Sequence, residues 1–250
     1  MKQSIANNPN FSVIAENDDY VVINKPAPLK VHPGSPDGAS TLYDELRGLL
    51  AYELVLGGQI SIINRLDRET SGVTLVAKNA AAARRFGMAM MERLFHKTYH
   101  ALVRGCPPWD ESDLDAPILR KGDVEPSRIY VKQMVHNDGL QCSTAFRVLH
   151  RFEREGDEFS LVECTPLTGR MHQIRVHLAY LGYPIVGDKI YGPDETCYLD
   201  FIETSWTSDL EKRLLMPRHA LHAAKLELQG EGCWEAPMPA DMARFLLGES

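Results

Sequence analysis

The sequence predicts an α+β fold built around a mostly antiparallel sheet. Apolar, strand-like stretches and stretches with helical spacing mix along the chain without the strict alternation of a parallel sheet. Two strand-like stretches are joined by the short charged turn at 153–157, which is typical of an antiparallel hairpin. The 250 residues are 44% apolar and 24% charged, an ordinary globular composition that can form one sizeable core.

Strands and helices are both expected in the first half of the chain. The strands are predicted at the start of 20–34, at 72–78 and at 98–105, and the helices at 41–54 and 80–95. Ser40 and Asn79 have side chains suited to cap the two helices. The prolines within 20–34 end the first strand and leave an extended loop behind it.

The second half is expected to add three strands and three helices. The strands are predicted at 143–152, 158–167 and 219–230, and the helices at 169–182, 209–215 and 240–248. Thr168 is expected to cap the first of these helices and Gly182 to end it, while Ser208 and Glu211 are spaced as a capping box. No internal repeat or interdomain linker is evident, so we expect one domain over residues 1–250.

Composition excludes several classes of protein. Residues 1–20 lack an apolar core long enough for a signal peptide, and no apolar run of about 18 residues could span a membrane. The five cysteines are odd in number and form no CxxC pair, so neither a disulfide framework nor a zinc knuckle is expected. We therefore expect a protein of the reducing cytoplasm that has no membrane partner.

Charge is unevenly distributed along the chain. The net charge of −7 argues against a generally basic, nucleic-acid-binding surface. Residues 84–104 nevertheless hold five basic residues against one acid, and residues 194–211 hold six acids without Lys or Arg. A patchwork of solvated charges accounts for this pattern, and so does a local basic surface that meets an acidic ligand.

Asp67 is the first candidate for chemistry. It lies between Arg65 and Arg68 in a polar turn that leads into a predicted buried strand. A nearby arginine would lower the pKa of the carboxyl and keep it ionised, which suits a nucleophile or a base. A turn aspartate in surface ion pairs fits this stretch equally well.

The helix predicted at 169–182 offers a second candidate. Arg175 is the donor best placed to point inward, because apolar residues share this helix. A buried guanidinium needs a carboxylate partner, and Asp67 is a candidate for it. His172 and His177 lack the spacing of an HExxH or a Cys/His site, so no metal is expected.

Tyr99 is the third candidate, in a predicted strand that follows Lys97. Its ring could stack on a nucleobase, although a core tyrosine with a satisfied hydroxyl is the commoner alternative. The GxGxxG, P-loop and GxSxG motifs are absent, so no dinucleotide, nucleoside triphosphate or serine-hydrolase site is expected.

Four ordered stretches together resemble the RluA-type family of RNA pseudouridine synthases. They read VVINKPAPLKVHPG, NRLDRETSGVTLVAKN, HKTYHALVRG and TGRMHQIRVHLAYLGYPIVGDKIYG, and RHALHAAKLEL fits the same pattern. The resemblance covers residues 18–228. It implies a bent, mainly antiparallel sheet with flanking helices and a central cleft. It also implies isomerisation of uridine in RNA to its C5-glycoside, without metal or cofactor.

The resemblance implies a role for each candidate residue. Asp67, in the RLD block, would be the catalytic carboxylate, and Tyr99 would stack on the target base. Arg175 would pair with the catalytic carboxylate. Arg65 would help to hold the RNA helix open once the base is flipped out.

This chain departs from the family pattern at two positions. Asn64 stands where the family most often has a histidine and cannot titrate, and Met171 replaces the usual small hydroxyl residue before His172. We expect no separate basic RNA-binding module before the catalytic part. Together with the acidic net charge, this favours recognition of a compact stem-loop of tRNA or ribosomal RNA by the catalytic domain alone. The lack of an obvious dimerisation stretch favours a monomer.

Two other functional classes remain open from the sequence. A non-catalytic RNA-binding protein of the same fold would not require Asp67. An aspartate-dependent glycosidase generally uses two carboxylates, and a nuclease would cut the RNA, but no second carboxylate stands out in these stretches.

Overall fold

The computed structural model describes residues 10–32 and 40–249, so Pro33 and Gly34 of the predicted extended loop lie outside the described residues. The strands are β1 (Ser12–Glu16), β2 (Tyr20–Lys25), β3 (Ser61–Ile62), β4 (Ser71–Ala77), β5 (Phe95–Arg104), β6 (Glu111–Asp115), β7 (Ile118–Arg120), β8 (Gln133–Val135), β9 (Ser143–Arg154), β10 (Asp157–Pro166), β11 (Leu221–Leu228) and β12 (Gly232–Glu235). The helices are α1 (Leu42–Leu49), α2 (Ala51–Val55), α3 (Ala80–Met91), α4 (Gln173–Tyr180), α5 (Thr196–Thr204), α6 (Ser208–Leu214) and α7 (Ala240–Leu247).

Two compact units divide the chain. Unit 1 comprises the described residues up to Phe95 together with Lys225–Pro237, and unit 2 comprises His96–Ala224 with the described residues from Met238 onward. Strand β11 contributes its first half to unit 2 and its second half to unit 1. A single catalytic domain over residues 1–250 stays a prediction. In the part of the chain that the structure describes, no helix is long and apolar enough to cross a membrane.

Unit 1 is built on a sheet in the order β1-β2-β4-β11, with β3 against β4 and β12 against β11. The pairings β1–β2, β2–β4, β3–β4 and β11–β12 are antiparallel. Every residue of β4 is buried, as its apolar run predicts. Val73 and Leu75 pack with Phe86 of α3, while Val76 packs with Leu42 of α1, because alternate side chains point to opposite faces.

Unit 2 has strands in the order β11-β5-β10-β9-β6, and the pairings β5–β10, β10–β9 and β9–β6 are antiparallel. Strands β9 and β10 form the predicted hairpin around Glu155 and Gly156, which have φ values of 56° and 87°. Positive φ at both turn residues matches the right-handed twist of the flanking strands. Ile174 of α4 packs in the same core as Leu102 and Val162. Antiparallel strands with flanking helices confirm the predicted α+β fold class.

Three predicted helix caps are wrong. Thr41 rather than Ser40 caps α1, and Thr207 rather than Ser208 caps α6. In both places two hydroxyl residues are adjacent, so the pattern identifies a cap without fixing which of the two provides it. Thr168 does not cap α4, which begins at Gln173 and has no side-chain cap.

The other helix boundaries follow the sequence more closely. The Asn79 side chain accepts a hydrogen bond from the Ala82 amide and caps α3 as predicted. Helix α3 ends at Met91, short of the predicted residue 95, because Arg93 at φ 60° reverses the chain and Phe95 begins β5. Gly182, at φ 88°, follows the end of α4 as predicted.

Several elements were not predicted from the sequence. The short strands β1, β3, β6, β7, β8 and β12 and the helix α5 all belong to this group. Strand β6 has the sequence ESDLD and alternates exposed with half-buried residues, so its apolar signal is weak. Helix α5 lies within the acidic stretch 194–211, where composition favours solvent exposure over packing.

Two glycines shape the loop that follows α4. Gly187 has φ 78°, and a Cβ at this position would lie 1.9 Å from the carbonyl oxygen of Arg218. A Cβ on Gly192 would lie 2.1 Å from the carbonyl oxygen of Asp188. The backbone therefore approaches itself too closely for any side chain at either position, which fixes the loop that carries Asp188.

We expect Gly187→Ala to lower the free energy of unfolding far more than Gly156→Ala. Both glycines have positive φ, which costs roughly 1–2 kcal/mol for an L-residue. A Cβ on Gly156 would have no atom within 4 Å, so only Gly187→Ala adds a backbone clash. Urea denaturation measures both values, and equal losses would show that the close approach at Gly187 has no energetic effect.

Candidate active site

The loop between β3 and β4 carries Asp67, and Asn64 fixes where this loop begins. The Asn64 side chain is buried, and its Nδ2 donates to the carbonyl oxygen of Val73 at 2.8 Å. Its Oδ1 accepts from the backbone amide of Leu75 at 2.7 Å. Asn64 thus pairs with β4 as another strand would, through one donor and one acceptor. This is a structural role, and it accords with the expectation that position 64 does no proton transfer.

Lys25 contacts the same loop at Arg68, after Asp67. Its side chain has no exposed surface, and its Nζ donates to the carbonyl oxygens of Pro26 and Leu29, each at 3.0 Å. A third carbonyl, that of Arg68, lies 3.3 Å away, and it also accepts from the Leu29 amide at 2.9 Å. Lys25 therefore joins the loop after β2 to the loop that carries Asp67, and it is not a solvated lysine.

Asp67 itself lies at the start of a tight turn. Its carbonyl oxygen accepts from the Thr70 amide at 3.1 Å, and its side chain is half-buried. The preceding Leu66 is buried and anchors the turn. Arg65 and Arg68, on either side of Asp67 in the sequence, are exposed. An effect of the flanking arginines on the pKa of Asp67 stays a prediction.

Arg175 lies on α4 in unit 2 and is buried, as predicted. Its Nε donates to Asp188 Oδ2 at 2.7 Å, and its Nη2 donates to Oδ1 at 2.9 Å. Asp188 has no exposed surface and also accepts from the amides of Ile190 and Tyr191. Burial alone would raise the pKa of Asp188, but the charge and hydrogen bonds of Arg175 outweigh it and lower that pKa strongly.

Asp188 is thus a carboxylate partner of Arg175 that the sequence did not indicate. The pairing of Arg175 with Asp67 stays a prediction. Five N–H groups are available on a guanidinium, and Asp188 takes two of them. The sequence feature that could have pointed to Asp188 is the stretch PIVGDKIYG. There a charged residue lies in an apolar, glycine-rich loop directly after a helix with an inward arginine.

Tyr191 connects three parts of unit 2. Its hydroxyl accepts from the backbone amide of Gln133 at 2.8 Å and lies 2.8 Å from His172 Nδ1. Its ring lies 5.0 Å from the Arg175 guanidinium, within the range of a cation–π contact. His172 has φ 57° and directly precedes α4. Tyr191 therefore ties β8 to the beginning of the helix that carries Arg175.

Gln173 and His177 hold α4 against β9. The Gln173 amide group donates to the Ser143 carbonyl and the Thr144 hydroxyl, and its oxygen accepts from the Thr168 hydroxyl at 2.6 Å. His177 is fully buried between Thr144 Oγ1 and the Ala116 carbonyl, each 2.9 Å away. Burial lowers the pKa of His177, so it remains neutral at physiological pH. Both residues have structural roles.

Tyr99 lies on β5, where its register partner is Cys164 of β10. It is half-buried and packs against the unit 2 core that contains Leu102 and Ile174. Lys97, on the same strand, donates from Nζ to the Thr168 carbonyl at 2.9 Å. The ring is therefore held by a rigid strand but retains some exposed surface, which permits a stacking role.

Charged residues of the basic stretch 84–104 and of the acidic stretch 194–211 form ion pairs and hydrogen bonds within the protein. In the basic stretch, Arg85 pairs with Asp19 and Glu231, and Arg104 donates to the Arg213 carbonyl. Three acids of 194–211 pair with the single Arg213: Asp194, Asp200 and Asp209. Among the described residues, no group of three His, Cys, Asp or Glu side chains could hold a metal ion.

Comparison with known proteins identifies the family. Residues 19–180, which include Asp67, Tyr99 and Arg175, match the family described as RNA pseudouridylate synthase. The chain belongs to the RNA pseudouridylate synthase family. This confirms the family resemblance, and the family is one of isomerases that act on RNA.

Relatives and solved structures agree with this family. The chain is 36% identical over 244 residues to ribosomal large subunit pseudouridine synthase D of Nitrosomonas europaea, covering 94% of this chain and 64% of that protein. It is 34% identical over 188 residues to the dual-specificity RNA pseudouridine synthase RluA of Vibrio parahaemolyticus, covering 75% and 71%. The structure of human RNA pseudouridylate synthase domain containing 1 superimposes with a TM-score of 0.69 at 28% identity, covering 98% of this chain and 89% of that one.

We expect Asp188→Asn to lower the free energy of unfolding at pH 7 by about 3–5 kcal/mol, because it leaves the buried Arg175 charge uncompensated. The folded-state pKa of Asp188 is lowered, so its contribution is complete above the unfolded pKa of about 3.9 and is lost as pH falls through the folded value. Urea denaturation from pH 7 to pH 3 should show the wild type approaching the variant below about pH 4.

The matched control for this measurement is Asp110→Asn, whose side chain is 85% exposed and pairs with Arg151. Its effect should stay within about 0.5 kcal/mol. Similar losses for Asp188→Asn and Asp110→Asn would contradict the importance of the buried pair.

We expect Asn64→Asp to lower the free energy of unfolding by about 1–3 kcal/mol, because a carboxylate oxygen would replace the amide that donates to the Val73 carbonyl. The control is Asn137→Asp, at an exposed turn position. Thermal or urea unfolding of both variants measures the two changes in the free energy of unfolding. An unchanged stability for Asn64→Asp would mean that the bridge to β4 does not hold the loop.

Proposed function

We propose that this protein is an RNA pseudouridine synthase that isomerises specific uridines of structured RNA, with Asp67 as its ionised catalytic carboxylate. The observation that carries the proposal is the family match over residues 19–180, which spans the RLD, KxY and GRxHQxR blocks. Each block keeps the residue that the family pattern requires. The ion pair of Arg175 with Asp188 supports it further, because an arginine that is to pair with the catalytic carboxylate must be held rigidly.

The reaction requires the bond between uracil N1 and ribose C1′ to break. The uracil then turns, C5 forms the new bond to C1′ and loses its hydrogen as a proton, and N1 takes up a proton, so that the product is an isomer of uridine. An ionised carboxylate can assist by attacking the sugar, by attacking the base or by removing a sugar proton. These routes share one requirement, which is that Asp67 is charged and correctly oriented when the uridine arrives.

Arg175 would meet this requirement by donating hydrogen bonds to two carboxylates, those of Asp188 and Asp67. Asp188 engages Nε and Nη2, which fixes the plane and the direction of the guanidinium. We assign donors outside this bidentate pair to Asp67. A guanidinium that is already oriented loses little further conformational entropy on meeting the second carboxylate, and its charge keeps the pKa of that carboxylate low.

Tyr99 and Arg65 would act on the RNA rather than on the carboxylate. The target uridine must leave its stack, which costs a few kcal/mol. A half-buried tyrosine on a rigid strand can stack on the extruded uracil and recover part of that cost. Arg65 is exposed and adjacent to the turn of Asp67, so it can occupy the gap that the flipped base leaves in the RNA helix.

The RNA substrate is proposed to be a stem-loop of ribosomal RNA or tRNA. The Nitrosomonas relative is named for the large ribosomal subunit, and the Vibrio relative is named for a dual specificity. The chain spans 64% and 71% of the lengths of these two proteins, so their activities reach this chain only as a proposal. We further propose that it acts as a monomer in the cytoplasm.

A tritium-release assay tests the proposed function. We expect the wild type to release tritium from RNA labelled at uracil C5, because the new bond at C5 expels that hydrogen whatever the route. Bulk tRNA and ribosomal RNA transcripts should be tested separately. Asp67→Asn should reduce release by at least about 10³-fold, since it removes the only charge assigned to the chemistry.

Asp209→Asn serves as the control, because Asp209 is exposed and lies in the acidic stretch. It should keep wild-type release. Binding of RNA without release by the wild type would favour a non-catalytic RNA-binding protein. Free uracil or cut RNA among the products would instead indicate a glycosidase or a nuclease.

A further inference from the structure

Tyr130 is an unusually exposed aromatic residue in the segment between β7 and β8. Its side chain is 78% exposed, and among the described residues the other strongly exposed tyrosines are Tyr52 at 75% and Tyr180 at 63%. A tyrosine at this exposure contributes little to folding through burial of its ring. Its ring is nevertheless ordered by its neighbours.

Arg120 covers one face of the Tyr130 ring. The Arg120 guanidinium carbon lies 4.5 Å from the ring centroid, a cation–π contact. Asp123 holds this guanidinium in place by accepting from its Nε at 3.0 Å and also from Nη2. The arginine therefore braces one side of the ring, which prepares the opposite face to receive a second flat group.

The residues around Tyr130 fix its direction. Ile129 is buried and packs with Ile118 and with Val176 of α4, while its amide donates to the Ser127 hydroxyl oxygen. Arg128 and Tyr130, on either side of Ile129 in a bend and turn, are both exposed. Within the described residues Arg128 makes no ion pair and is exposed, so its charge can meet a phosphate.

The other cations of this segment are already engaged. Lys132 pairs with Glu195 at 2.6 Å, and Lys121 pairs with Glu125 and Glu195. The outward surface thus presents one braced aromatic ring beside one available guanidinium. Single-stranded nucleic acid offers the complementary groups, a flat base next to a phosphate, and such stacking tolerates any base.

We propose that Tyr130, braced by Arg120 and flanked by Arg128, is a stacking site for an unpaired nucleotide of the RNA substrate. This inference rests on the proposed function for the identity of the RNA, but it assigns residues outside the catalytic set. The site adds affinity for the RNA and has no part in the chemistry of the uridine. Its loss therefore raises KM and leaves kcat unchanged.

The test compares KM and kcat for tritium release from the C5-labelled tRNA or ribosomal RNA transcript that the wild type turns over. Tyr130→Ala should raise KM about tenfold, the usual effect of losing one base–aromatic stack, with kcat unchanged. Tyr130→Phe should keep the wild-type KM, because it keeps the ring. Tyr52→Ala, which removes a similarly exposed tyrosine of unit 1, should have no effect.

Equilibrium binding of the same transcripts gives a readout that does not need turnover. The dissociation constant should rise about tenfold for Tyr130→Ala. The slope of log affinity against log salt should fall by about one for Arg128→Ala. A wild type that binds RNA without tritium release would overturn the proposed function and leave the stacking site standing on the binding data.

Two results with the variants would overturn the stacking site itself, and one with the wild type. One is an unchanged KM and dissociation constant for Tyr130→Ala, and the other is an equal loss for Tyr52→Ala. Failure of the wild type to bind either transcript would overturn it as well. Urea denaturation of Tyr130→Ala accompanies these measurements, and its stability should equal that of wild type because the side chain is on the surface.

Discussion

The buried ion pair between Arg175 and Asp188 is the interaction on which unit 2 depends. Two opposite charges without water contact are tolerated only when their geometry and remaining hydrogen bonds are nearly complete. Here the pair is bidentate, and two backbone amides complete the partners of Asp188. Gly187 and Gly192 allow the loop to close on itself, and Tyr191 places a ring beside the guanidinium. The loop, the ion pair and the ring together fix the orientation of Arg175.

In unit 1, buried side chains hold an irregular loop in place. The loop around Asp67 lacks a strand or helix to satisfy its backbone groups, and side chains take over that task. Asn64 presents an amide to β4, and Lys25 presents an ammonium to three carbonyl oxygens. Both side chains are buried, so water does not compete for these bonds. A carboxylate on such a loop has a defined position although its own side chain remains half-buried.

The sequence revealed elements with strong periodicity and residues within family blocks. Strand β4, the hairpin of β9 and β10 and the inward direction of Arg175 all follow from local pattern. Adjacent hydroxyl residues left the capping residue of α1 ambiguous, and short polar strands gave no signal. The local sequence pattern did not predict the role of Asp188, for another reason. It depends on a contact across 13 residues whose geometry is set by glycines, and spacing alone does not encode it.

Charge explains how an acidic protein can accept RNA. The net charge of −7 describes the whole chain, but phosphates respond to charges within about a Debye length, roughly 8–10 Å. The acids of 194–211 are partly neutralised where they lie, since Arg213 pairs with three of them. Arg65, Arg68 and Arg128 are instead exposed. Exposed arginines such as these can therefore attract phosphates locally although the whole chain is acidic, and stacking and the shape of the RNA add specificity.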